Sequence, residues 1–155
     1  MGEAIHEIEN GNNMGLEDFF PNLSPDNHRL TSNSTNDYNC IAWAVGVSDK
    51  WWDPYPDASY FWPDGIPMDS SLETVCKVFE TEGYVITDVE AVETGFEKIA
   101  VYGDKDGFTH AARQLPNGKW TSKLGDWEDI EHDTLAALEG DFYGQAVKLM
   151  KRAKR

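Results

Sequence analysis

The sequence predicts an α+β domain, and three observations predict it. A polar, turn-forming run ends at Cys40 and gives way to a short apolar segment. A ten-residue stretch after residue 70 carries apolar side chains at helical spacing. Four short β-rich segments then follow between Gly- and Pro-containing turns, and two further segments with helical spacing close the chain. At 155 residues the chain suffices for one real core. Residues 1–30 read as an N-terminal arm, partly disordered, and residues 31–152 as a single domain.

Residues 1–13 are acidic and polar and read as a loose start. Residues 14–30 contain Phe19-Phe20-Pro21 and Leu23-Ser24-Pro25. Two prolines argue against a long helix there, so this part reads as an extended arm that lays aromatic rings on the domain. The run Ser32-Asn33-Ser34-Thr35-Asn36-Asp37 is rich in residues that hold turns and cap helices, which places Cys40 where a loop becomes a helix.

In residues 45–67 the spacing is neither helical nor alternating. Trp51, Trp52, Tyr55, Tyr60, Phe61 and Trp62 fall within twelve residues, interleaved with prolines. This is an aromatic loop that either covers the core or walls a substrate groove. Asp69 or Ser70 is placed to cap the next helix, with Ser70 and Glu73 spaced as a capping box. Leu72, Val75, Cys76 and Phe79 form its apolar stripe, which makes Cys76 a small buried hydrophobe, and Gly83 ends it. Strands are expected over residues 84–87, 97–102, 108–115 and 119–124, with a turn at 103–107 and a hairpin at Pro116-Asn117-Gly118. Residues 134–140, capped by Asp133, and 142–151, with Tyr143, Ala146, Val147 and Met150 on one side, read as helices.

Charge excludes some functions. The formal net charge is -15, and five of the thirteen bases lie in the last eight residues. So acidic a body repels phosphate backbones, which argues against nucleic acid as a partner. The basic end reads as a solvated helix terminus. No apolar run approaches a membrane span, and no secretory signal is visible, so a cytoplasmic protein is expected. Two cysteines without a CxxC pair, and four scattered histidines, give no metal-site pattern. No metal and no organic cofactor is expected.

The candidate chemistry is nucleophilic. A cysteine at a helix N-terminus meets unpaired N–H groups and the positive end of the helix dipole, which favour its thiolate. It needs a base and a group that orients the base. Of the histidines, His110 alone lies inside a strongly patterned segment; a buried core histidine fits the same spacing. His6 and His28 lie in the arm, and His132, between two acids, reads as a surface cap residue. The orienting group would be Ser122, inside the next strand, or Asp126, just beyond it. A register shift of one residue would exchange the two faces. Asn36 or Asn39, with the Cys40 backbone N–H, could bind an oxyanion. Trp51, Trp52 and Trp62 would line the groove.

Cys40 opening a helix, His110 opening a later strand and a polar residue on the next strand resemble the papain-like cysteine peptidase and amidase superfamily, in its compact bacterial cell-wall branch. Four blocks also resemble a bacterial family of unknown function: Tyr38-Asn39-Cys40-Ile41-Ala42-Trp43-Ala44, Gly95-Phe96-Glu97-Lys98-Ile99-Ala100, Thr109-His110-Ala111-Ala112-Arg113-Gln114 and Trp120-Thr121-Ser122-Lys123-Leu124-Gly125. The first resemblance implies a papain-like fold, a helix carrying Cys40 on a small antiparallel sheet with C-terminal helices. It also implies a hydrolase or acyltransferase acting on a peptide or amide substrate, with Cys40 as nucleophile and His110 as base. The chain departs from that pattern in having no glutamine before Cys40. The competing expectation is a non-catalytic interaction, effector or immunity protein with a structural Cys40. The sequence leaves oligomeric state open.

Overall fold

The computed structural model describes residues 15–155. The expectation of a loose start over residues 1–13 lies outside them. One seven-stranded sheet dominates the described residues. In chain order its strands are β1 (His28–Leu30), β4 (Val85–Thr87), β5 (Phe96–Asp104), β6 (Gly107–Gln114), β7 (Trp120–Lys123), β8 (Asp129–His132) and β9 (Gln145–Ala153). They lie in the order β1-β8-β7-β6-β5-β9-β4, with every neighbouring pair antiparallel. A separate two-stranded ribbon, β2 (Trp51–Trp52) and β3 (Tyr60–Phe61), is parallel and closes the aromatic loop. The α-helices are α1 (Cys40–Ala44) and α2 (Leu72–Thr81).

This arrangement corrects the papain-like α+β expectation, because the C-terminal helices are absent. Residues 142–151 do not form a helix; most of them lie in β9, which runs against β5 from Phe96↔Ala153 to Gly103↔Gln145. Residues 134–140 shrink to a 3-10 turn, Leu135–Leu138, capped by Thr134 rather than Asp133 through the Ala137 N–H. The physical reason is tertiary. β5 is buried from Lys98 to Gly103 and needs a partner on each edge, and β9 satisfies the backbone groups that a helix would leave open. The cap of α2 also moves by one residue: the Ser71 hydroxyl accepts from Thr74 N–H at 3.1 Å.

Each face of the sheet carries its own core. On one, Ala100, Tyr102, Ala112, Trp120 and Ile130 meet Phe20, Leu23, Trp127, Leu138 and Tyr143. The aromatics of residues 19 and 20 belong here, with Phe20 fully buried against Phe142 and Tyr143. On the other, Ile99, Val101, Ala111 and Met150 meet Ile41 and Ala42 of α1 and Val75, Val78 and Phe79 of α2. Alternate residues of a strand serve opposite faces, so a single step along β6 moves a side chain between the two cores.

Candidate functional site

α1 starts where the turn chemistry predicts. Asn39 is its N-cap, and the side-chain oxygen accepts from Ala42 N–H at 3.3 Å. The same oxygen accepts from Trp52 N–H at 3.1 Å, while the Asn39 amide donates to the Trp52 carbonyl at 2.6 Å. Asn39 therefore fixes β2 against the helix, and its hydrogen bonds leave it poorly placed as an oxyanion donor. Trp52 is buried against Phe61 and belongs to the core. Trp62 donates to the Pro67 carbonyl at 2.8 Å and anchors the loop.

Cys40 is half-buried and packs with the α1 face of the sheet. Burial pushes its thiol up to about 11, and the backbone N–H groups of Ala111 and Ile41, with the Lys123 charge, offset only part of that rise. The expected dipole effect is thus outweighed by desolvation. Lys123 is itself buried, and burial lowers its pKa. Its ammonium donates to the Thr35 carbonyl at 2.7 Å and to the Gly125 carbonyl, and lies 5.2 Å from the centre of the Tyr38 ring. Tyr38 donates to Asp129 Oδ2 at 2.6 Å; burial, then this bond, pushes the phenol up to about 12. Together these groups clamp residues 31–38 onto β7 and β8.

His110 lies on the other face. It pairs with Tyr102 across β5 and β6, while Ala111, whose backbone N–H is directed at the Cys40 sulfur, pairs with Val101. The imidazole is fully buried, 5.4 Å from the Tyr102 ring and stacked on Tyr143 at 4.2 Å with an interplanar angle of 4°. Neither ring nitrogen has a hydrogen-bond partner. Burial, with the neighbouring His132, holds its pKa well below the usual value. Cys40 and His110 therefore flank the same strand without meeting through a hydrogen bond.

Ser122 serves a different histidine. Its hydroxyl and His132 Nε2 are 2.8 Å apart, and His132 Nδ1 lies 2.8 Å from the Thr134 carbonyl. Because a carbonyl only accepts, Nδ1 carries the proton and Nε2 accepts from Ser122. Both side chains are fully buried, and burial lowers His132 to about 4. The expected surface cap residue is a satisfied core histidine. Sequence reasoning missed it because β8 reads as polar; the alternation Ile130-Glu131-His132, which sets His132 on the same face as the apolar Ile130, was the available signal.

Three residues that the sequence assigns separate roles meet at one place. Asn36, Trp51 and Asp126, with Ser59 and Tyr60, line a cleft of about 400 Å³ beside the aromatic loop. Neither Cys40 nor His110 is part of its lining. Among the described residues no group of three or more His, Cys, Asp or Glu side chains is placed to hold a metal ion, and no helix is long and apolar enough to cross a membrane.

Sheet, clamp and cleft together define a β-rich domain with a polar, aromatic-walled depression and no hydrogen-bonded Cys40–His110 pair. Residues 29–151 match the family described as a domain of unknown function, DUF7689, and the chain belongs to that family. No curated protein and no solved structure matches it.

Proposed function

We propose that the protein is a recognition domain rather than a hydrolase, and that the cleft of Asn36, Trp51, Ser59, Tyr60 and Asp126 receives a neutral or cationic group of its partner. One observation carries this reading. No hydrogen bond joins the Cys40 thiol to the His110 imidazole, and burial favours the neutral form of each. A nucleophilic pair needs the base within hydrogen-bond reach of the thiol. The cleft supplies two aromatic faces, an amide, a hydroxyl and one carboxylate. In a chain of net charge -15, that set favours cations over anions.

Hydrolysis or acyl transfer at Cys40 is the second reading. It is favoured by the half-buried thiol at the head of α1, which has the Ala111 and Ile41 N–H groups directed at its sulfur. Iodoacetamide alkylation, followed by mass spectrometry as a function of pH, separates the two, with Cys76 as internal reference. The recognition reading expects Cys40 to react appreciably only above about pH 10, unchanged in His110→Ala. Selective alkylation below pH 8 that His110→Ala abolishes would reverse the assignment.

A further inference from the structure

The walls of the aromatic cleft narrow what it can hold. Trp51 and Tyr60 are register partners in the parallel ribbon of β2 and β3, as are Trp52 and Phe61. Trp52 and Phe61 pack on each other at 4.6 Å and form the inward pair, with Trp52 buried. Alternation therefore sets Trp51 and Tyr60 side by side on the outward side, rooted about 5 Å apart, and both line the cleft. Each ring is held from elsewhere. The Trp51 indole donates to Asp53 Oδ2 at 3.4 Å, and Tyr60 makes an edge-to-face pair with Tyr55 at 5.9 Å and 81°. Tyr60 stays 39% exposed and Tyr55 62%, so ring area is left open beside the depression.

The polar side of the cleft is the Asp126 carboxylate, the Asn36 amide and the Ser59 hydroxyl, and no lysine or arginine is part of the lining. The surrounding loop, residues 49–64, carries Asp49, Asp53, Asp57 and Asp64 against Lys50. Lys50 lies 5.9 Å from the centre of the Phe61 ring, on the inward pair. Lys123 lies behind the cleft. Its buried ammonium is tied to the carbonyls of Thr35 and Gly125, the neighbours of Asn36 and Asp126, and it interacts with the Asp126 charge from that side. An ordinary ammonium must give up tightly held water to sit on aromatic rings, and any N–H left unpaired there costs free energy. A trimethylammonium group has no N–H to leave unpaired, and its methyl groups carry the charge onto the ring faces.

We propose that the cleft binds a trimethylammonium group, held by Trp51 and Tyr60 with Asp126 as its counter-charge. The proposal rests on the recognition reading and names the ligand class for that same site. Tryptophan offers a cation the strongest of the aromatic faces, and the carboxylate adds an attraction that an uncharged group of the same shape does not feel. Two sources carry this chemistry, a free choline-type cation and a trimethylated lysine side chain, and either brings the same group to the same rings.

The test uses the full chain and two matched pairs of ligands. Choline is compared with its uncharged isostere, in which a tert-butyl group replaces the trimethylammonium. A peptide bearing trimethyl-lysine is compared with the same peptide bearing ordinary lysine. Amide and indole NMR shifts locate each ligand, and their titration gives Kd. Shifts at Asn36, Trp51, Ser59, Tyr60 and Asp126 are expected, with each trimethylammonium ligand about fivefold tighter than its control, the scale of an exposed cation–π contact. Trp51→Leu should remove that preference. Asp126→Asn, which keeps both rings and serves where Trp51→Leu fails to fold, should weaken choline about threefold and leave the isostere unchanged, the scale of an exposed ion pair. A methylated peptide tighter than choline assigns the lysine side chain as the source, and equal affinity assigns the free cation. Equal binding within both pairs would overturn the trimethylammonium while leaving a recognition cleft in place. Absence of shifts in the cleft with every ligand would overturn the site. Selective alkylation of Cys40 below pH 8 would unseat the recognition reading by itself, whatever these ligands do.

Discussion

His110 is the residue where physical cost is most concentrated. A fully buried imidazole with two unpartnered nitrogens loses its hydration and gains only ring packing on Tyr143 and Tyr102. Leaving buried donors and acceptors unmade costs about 1–3 kcal/mol. His110→Phe keeps the stack and removes the orphaned atoms, so urea unfolding at pH 7 should show it equal to or more stable than the parent. His110 and His132 both have depressed values in the fold. Unfolded, each binds a proton near pH 6.5. Stability is therefore fully present above that pH and falls as pH drops toward about 4, by about 3 kcal/mol from His132 alone. His110→Phe should reduce the slope by one proton. A parent protein whose urea midpoint stays flat from pH 7 to pH 4.5 would contradict this account.

At the scale of elements, β9 discriminates between two readings of one segment. As a helix, residues 142–151 would bury Tyr143, Ala146, Val147 and Met150 together. As a strand, Met150 is fully buried beside Ile99 and α2 while Val147 stands 45% exposed at the bulge. Met150→Ala should cost about 2–5 kcal/mol by chemical denaturation. Val147→Thr should stay within about 0.5 kcal/mol of the parent. Near-equal losses would favour the helix. The segment misleads because its apolar spacing suits a helix and only the uncapped edge of β5, a tertiary fact, decides against it. The β5–β6–β7 meander was legible because Gly107 and Pro116-Asn117-Gly118 are turn chemistry written locally. The start of α1 was legible for the same reason, through the polar run before Cys40, although the cap itself is Asn39, a residue that the sequence offers as an oxyanion donor. β1 and β8 are three and four residues long and polar, too short to show a period. The cleft itself was not legible: Asn36 and Asp126 read as partners of Cys40 and His110, and they meet Trp51 in a depression lined by neither, because long-range loop packing that residue types do not encode brings them together.

The whole molecule is shaped by an excess of carboxylates. Its buried cations are tied inward. Lys98 meets Glu93 at 2.7 Å and the carbonyls of Val89 and Ala91, each at 2.6 Å. Arg113 lies over Trp43 at 4.8 Å, and Arg152 meets Glu97 at 2.7 Å. The basic end read as a solvated helix terminus instead ties β9 to the end of α2 at Glu82. With the cations so engaged, the surface is left strongly negative, and compaction concentrates that charge. Salt should therefore stabilise the fold. Raising NaCl from about 20 to about 300 mM shortens the screening length from roughly 20 Å to roughly 6 Å. The self-repulsion weakens accordingly, while exposed ion pairs such as Arg29–Glu131, worth about 0–1 kcal/mol, have little to lose. Calorimetry at pH 7 should show the melting temperature rising by about 3 °C, roughly 1 kcal/mol for a chain of this size. A fall would mean that the inward-tied cations, not the surface excess, dominate the electrostatics of folding.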